Sequence, residues 1–436
     1  MSTERRPWNP DPAWADPLLL MLLLLCLLGS SLALGGRAKA RRTQAPEAVS
    51  LQGRVMDVAL GAQVVLGGPS RGLPSAEDLA NPWDRALVAV LAAETQAPGA
   101  GVPESARKLA AQAPESFRAA FSAAYEGGPA VAPDPALTKA LGRGLAARLL
   151  EARLGPEASR EVARKAALDA AAGRIAGLAA VGFLGLILGL GGVAYALLLL
   201  SQRKDPWPTG PRWEGLAWRG AALAFLAWFA GYFVLGFLTS GLAAVWPALR
   251  PWLLPLGYAG HAAWGLWLVL QATGLEARRL RAALFPGSWR ASLPHALGGW
   301  GLAVVTLFLL GLLLSPLLRG RTSPQEEVME GLRVAQGASV LPLFLTVAVL
   351  APCFEELMMR GFLLGHLRSR WGAALALAAT SLLFGFVHLQ PLALPTLSAL
   401  GGILGLLLLR TGDLRASIVL HGLWNGSLFL LIRALG

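Results

Sequence analysis

Cysteine and histidine are nearly missing from this chain: two Cys and five His in 436 residues. Cys26 and Cys353 each sit inside an apolar run, which excludes a disulfide framework and a thiolate-held metal centre. Charge is scarce as well, at 15% Asp, Glu, Lys and Arg, against about 25% in an average soluble domain. There is no HExxH pair, and no repeat that would mark a solenoid or a two-halved transporter. No basic helix is interleaved with aromatics, so the formal charge of +12 does not point to nucleic acid, and no nucleic-acid partner is expected. The excess is mostly arginine in short segments between apolar runs, where orientation in a membrane already explains it.

What is abundant is apolar sequence: 55% hydrophobic residues and a mean hydropathy of +0.54. Runs of about 20 apolar residues are long enough to cross a bilayer as helices. Nine are read, at roughly 17–36, 175–201, 220–246, 253–274, 297–317, 338–365, 372–390, 393–409 and 416–433. Many of the 15 Trp lie near their ends, as an interfacial belt requires. The fold class expected is all-α, a polytopic transmembrane bundle in contact with membrane lipids, placed in the cell (inner) membrane.

Four domains are read along the chain. Residues 1–36 form an N-terminal anchor or uncleaved signal span, because the apolar run is long and Arg37 and Lys39 crowd the weak "AKA" cleavage site. Residues 37–174 form a hydrophilic, Ala-rich helical domain, with helical patterns in "SARKLAAQAPESFRAAFSAAY" and "TKALGRGLAARLLEARL". It holds neither His nor Cys and so offers little for catalysis; it is read as a substrate-recruiting or regulatory domain, or as a solvated extension without separate activity. Residues 175–337 carry spans two to five, and 338–433 carry the chemistry. Arg and Lys concentrate in 202–219, 275–296, 366–371 and 410–415, which places those loops in the cytoplasm and 37–174 outside.

Inside the expected spans the only acids are Glu355 and Glu356, and the internal histidines are His261, His388 and His421. A charge at mid-bilayer costs roughly 2.5–3.5 kcal/mol, so such groups normally face a bundle interior or a wet cavity. Glu356 and Arg360 stand four apart with Glu first, the favourable order for a helical ion pair. Glu355 points about 100° away around the helix, free for another partner, and a carboxylate in a dry site suits a general base. His388 and His421 are placed to hold a water against it, with Asn425, one turn beyond His421, as an amide donor to an oxyanion. The bland alternative is a structural clamp between helices. His261 alone is read as a packing residue, and His295 and His366, at span edges, receive no role.

"EELMMR" (355–360), "FGFVH" (384–388) and "HGLWN" (421–425) together resemble the EExxxR, FxxxH and HxxxN signatures of the CAAX-protease and bacteriocin-processing (CPBP, or ABI) family of intramembrane proteases. The resemblance covers about 338–433. It implies an endopeptidase acting on a peptide or protein substrate near the bilayer. Glu355 and His388 would activate water, His421 and Asn425 would form the oxyanion site, and Glu356 and Arg360 would support them. No cofactor is favoured; the alternative is zinc on Glu355, His388 and His421, since a His–His–Glu set also makes a catalytic zinc site. Two other function classes are weighed: a non-catalytic bacteriocin-immunity or scaffold protein, and a proton-coupled transporter. The last is disfavoured because the intramembrane charges cluster in one quarter of the chain.

Overall fold

The computed structural model describes residues 7–43, 48–67, 72–95, 101–132, 134–201, 210–318 and 337–435. Among these all regular structure is helical. In chain order the helices are α1 (Pro12–Thr43), α2 (Leu51–Val65), α3 (Pro82–Glu94), α4 (Glu104–Ala111), α5 (Glu115–Tyr125), α6 (Pro135–Leu141), α7 (Leu145–Leu154) and α8 (Glu157–Ser201). They continue with α9 (Trp218–Val245), α10 (Arg250–Thr273), α11 (Ala277–Leu284), α12 (Trp289–Leu318), α13 (Val340–Val387), α14 (Leu394–Thr411) and α15 (Leu414–Leu435).

Eight of the described helices are long and apolar enough to cross a membrane. The nine expected runs are all there, but two of them share α13, whose 48 residues amount to about 72 Å at 1.5 Å per residue. That is more than twice a hydrocarbon core of about 30 Å. Gly372 breaks α13 into two limbs, with φ 75° and ψ 170°, a conformation that glycine adopts without steric cost. On the helix bounds of the structure, which run past the apolar runs, other acids join Glu355 and Glu356: Glu157, Glu161 and Asp169 lie on α8. α1 starts at Pro12, earlier than its apolar run, and so takes in Asp16, which pairs with Arg219 at 2.7 Å. Both side chains are largely exposed, as at a membrane rim.

By compactness the chain divides into two units. One comprises Met1–Ala40, Gly185–Leu313 and Leu332–Phe429; the other Arg41–Leu184, Leu314–Gly331 and Leu430–Gly436. In the second unit α3 is buried almost throughout, from Trp83 to Ala92, and α2, α4, α5, α6 and α7 supply the remaining core. Its polar groups are tied internally. The Asp57 carboxylate accepts the N–H groups of Leu145 and Ala146 and thereby caps α7, while buried Glu94 holds Arg153, Arg164 and Tyr125. Burial pushes the Asp57 carboxyl above its usual range despite those bonds. Each of the two helical patterns expected here is in fact two helices. Pro114 offers no N–H and starts α5 afresh, and Gly142, at φ 83°, ends α6.

In the first unit α8 and α12 meet backbone to backbone. A Cβ on Gly192 would lie 2.0 Å from the Leu302 nitrogen, and one on Gly301 2.1 Å from the Leu188 oxygen. Small residues allow helices to approach in this way where lipid offers no hydrophobic drive. The core of the unit gathers around Phe354, Met358, Met359, Phe362 and Phe384 on α13, packed by α9, α10 and α14.

Candidate active site

The site is built where α13 departs from α-helical register. Pro352 has no N–H, and just before it Thr346–Leu350 widens into a π-turn in which the Ala351 nitrogen donates to Thr346 oxygen. The Val347 carbonyl therefore loses its α-register donor, and its π-register donor would be Pro352, which has none. Asn425 on α15 fills the gap, its side-chain nitrogen donating to Val347 oxygen at 3.0 Å. A second π-segment, Leu357–Leu364, follows after the α-helical stretch Ala351–Glu356, and its Gly361 carbonyl accepts from the Trp213 indole at 2.9 Å. Between the two π-segments stand Glu355 and Glu356. π-bulges of this kind recur at functional sites.

The two glutamates part company as their angular separation requires. Glu356 is fully buried, and its Oε1 accepts from Arg360 Nη1 and from His421 Nδ1, each at 2.9 Å. Arg360, equally buried, also donates to the Gly401 carbonyl at 3.0 Å and lies over the Phe384 ring, 4.3 Å from its centroid. Among the described residues Glu355 meets no cation at hydrogen-bond distance. Its Oε1 accepts from the Tyr258 hydroxyl of α10 at 2.6 Å, and its Oε2 is 3.9 Å from His421 Nε2. Oε2 is buried without a hydrogen-bond partner among the described residues.

His388 caps the second limb of α13, and its Nδ1 donates to the Phe384 carbonyl at 2.6 Å. A carbonyl only accepts, so Nδ1 carries a proton, and Nε2 is the ring nitrogen left to offer a lone pair. The same reasoning applied to Glu356 puts a proton on His421 Nδ1. The Phe384 ring lies edge-on to both imidazoles, at 4.8 Å from His388 and 5.6 Å from His421. On simple spans the two histidines belong to opposite helix ends, yet both imidazoles meet the same Phe384 ring.

Glu355, Glu356, Arg360 and His421 thus interact directly, His388 joins through Phe384, and Asn425 is tied to the π-turn that precedes the glutamates. Sequence reasoning overlooked three features: Tyr258, the Glu356–His421 bond and the central place of Phe384. Tyr258 had a signal, being one of four tyrosines and three residues before His261 on the same helix face. His261 itself is buried, stacked on Trp228 and bonded to its carbonyl at 2.9 Å. His295 is held by Tyr195 at 2.6 Å, and His366 is buried against Trp218. Among the described residues no three His, Cys, Asp or Glu side chains are grouped to share one metal ion.

Gly422 sets how close α15 comes, since a Cβ there would lie 2.6 Å from the Ala348 carbonyl. Gly422→Ala is expected to push His421 and Asn425 outward. Overpacking of this kind costs about 1–3 kcal/mol, so a lower melting temperature should accompany a loss of any activity. An unchanged melting curve would show that the helix has room to shift.

Comparison with known proteins gives a consistent result. An uncharacterized 24.3 kDa protein of Escherichia coli is 34% identical over 134 residues, which are 29% of this chain and 58% of that protein. The chain therefore spans a little over half the length of this curated relative. No solved structure matches. Residues 337–427, the stretch that carries all three signatures, match the family model described as type II CAAX prenyl endopeptidase Rce1-like, in agreement with the resemblance to the CPBP family.

Proposed function

We propose that the protein is a multi-pass endopeptidase of the cell (inner) membrane, hydrolysing peptide bonds of membrane-associated substrates. The observation that carries this reading is Glu355. It is a carboxylate inside an apolar bundle, with one oxygen open beside His421 Nε2, in the segment that matches a peptidase family. In the proposed step Glu355, helped by the His388 Nε2 lone pair, takes a proton from water while the water oxygen bonds to the scissile carbonyl carbon. The resulting oxyanion accepts from His421 Nε2 and from the second N–H of the Asn425 amide. In this role His421 carries both ring protons, with Glu356 as its counter-charge. Collapse of the tetrahedral intermediate breaks the C–N bond, and the proton held by Glu355 passes to the leaving amine.

The test is hydrolysis by the full chain in liposomes of phosphatidylethanolamine and phosphatidylglycerol. Two quenched-fluorescent peptides are offered, one ending in a prenylated Cys followed by aliphatic residues, the other apolar and unprenylated. Cleavage of at least one is expected, and it should survive dialysis against a strong chelator. Folded protein that cleaves neither would count against the reading; turnover lost to chelation and restored only by zinc would favour Glu355, His388 and His421 as metal ligands.

The proposal places residues 37–174 outside the cytoplasm, where they would select substrates and do no chemistry. Its orientation rests on the arginine-rich loops; of these, 202–209, like the counter-loop 319–336, lie outside the described residues. With Ser116→Cys and Ser288→Cys made separately, an impermeant thiol reagent should label the first and not the second in intact cells. The opposite pattern would invert the topology.

A further inference from the structure

We propose that Tyr258 is the positioning residue for Glu355, which rests on the reading of Glu355 as the water-activating base. Tyr258 lies on α10, outside the 337–427 segment that matches the peptidase family. It reaches the carboxylate from 97 residues away and binds one oxygen at 2.6 Å. A carboxylate held by one oxygen can no longer swing or rotate freely. Its other oxygen then keeps a defined position, 3.9 Å from His421 Nε2 and free of hydrogen bonds among the described residues.

The choice of donor matters as much as the bond. Glu356, one residue on, is held by a guanidinium and an imidazole, whereas Glu355 is held by a neutral phenol. A cation hydrogen-bonded to Glu355 would weaken the base; the His421 ring stands 3.9 Å from Oε2, beyond hydrogen-bond distance. A phenol fixes the geometry and brings no charge. Tyr258 is itself placed by packing: it is half-buried, its ring meets His261 edge-on at 6.2 Å, and His261 is locked against Trp228. Phe354, the residue before Glu355, packs against both of those rings. An aromatic wall from α9 and α10 therefore sets where the hydroxyl ends, and Tyr258 transmits that position to the carboxylate.

The experiment uses Tyr258→Phe in the full chain, with two readouts. In turnover of the quenched peptides, kcat should fall by about 10–100-fold with KM and melting temperature little changed, the range expected for loss of a hydrogen bond to a charged group. In a double-mutant cycle with Glu355→Asp, whose shorter carboxylate already sits out of place, Tyr258→Phe should cost much less than in the wild type. A merely structural tyrosine would give additive losses and a lower melting temperature. Independently of turnover, the infrared difference between wild type and Glu355→Gln isolates the Glu355 carboxylate band, and Tyr258→Phe should shift it. Wild-type kcat or an unmoved carboxylate band in Tyr258→Phe, with Glu355→Gln inactive, overturns the role of Tyr258 alone. A fully active Glu355→Gln overturns the function reading instead.

Discussion

Glu355→Gln is expected to reduce peptide hydrolysis to background while leaving the protein folded and able to bind substrate. The amide keeps the size of the carboxylate and still accepts from the Tyr258 hydroxyl, so the 2.6 Å contact to α10 can persist. No cation is stranded by the change, because the buried arginine nearby, Arg360, is paired with Glu356. What is lost is the proton acceptor, and general acid–base catalysis alone contributes about 10²–10⁴-fold. Initial rates with the quenched peptides, taken beside melting curves, separate this from unfolding. Cleavage at the wild-type rate would mean that Glu355 only clamps α10 to α13, and the catalytic assignment would fall.

Glu356→Gln should fail in a different way, mainly through stability. Arg360 is fully buried, and a neutral amide at position 356 can still accept a hydrogen bond from the guanidinium but no longer balances its charge. Removing one partner of a buried pair costs roughly 3–5 kcal/mol, enough to lower expression and the melting temperature sharply. Adding Arg360→Met removes the stranded charge and should recover part of the stability, the remainder being withheld by the lost contacts to the Gly401 carbonyl and the Phe384 ring. Activity should not return with it. Glu356 also fixes the orientation and tautomer of His421 through the 2.9 Å bond to Nδ1, and an amide holds that ring less firmly than a carboxylate. A stable double variant with full turnover would reduce Glu356 to a counter-charge for Arg360.

These two substitutions differ because neighbouring residues on one helix face different helices, and part of that was legible in the chain itself. The Glu356–Arg360 pair is local, four residues apart on one turn, so helical periodicity was sufficient to find it. Membrane class and helical fold were legible for a similar reason: long apolar runs leave the backbone no partners but its own. The motif residues stood out because ionisable groups are expensive in such runs and therefore rare. Helix ends inside the hydrophilic segment were less legible, since a single Pro or Gly decides them against an otherwise continuous pattern.

The partners of the site residues belong to tertiary structure alone. Tyr258 reaches Glu355 across 97 positions, His421 reaches Glu356 across 65, and Asn425 reaches the Val347 carbonyl across 78. No periodicity spans such distances; they depend on how α10, α13 and α15 pack. The Asn425 contact shows the coupling most directly. Pro352 is written in the sequence, but that its missing N–H would widen a turn and free one carbonyl, which the side chain of another helix then satisfies, emerges only once the helices are assembled. By itself the sequence determined the solvent, the helical class and the candidate chemistry, because these follow from composition and local spacing. Which carboxylate is neutralised by charge and which is left with an open oxygen was decided by packing, because only a neighbour in space can supply or withhold a partner.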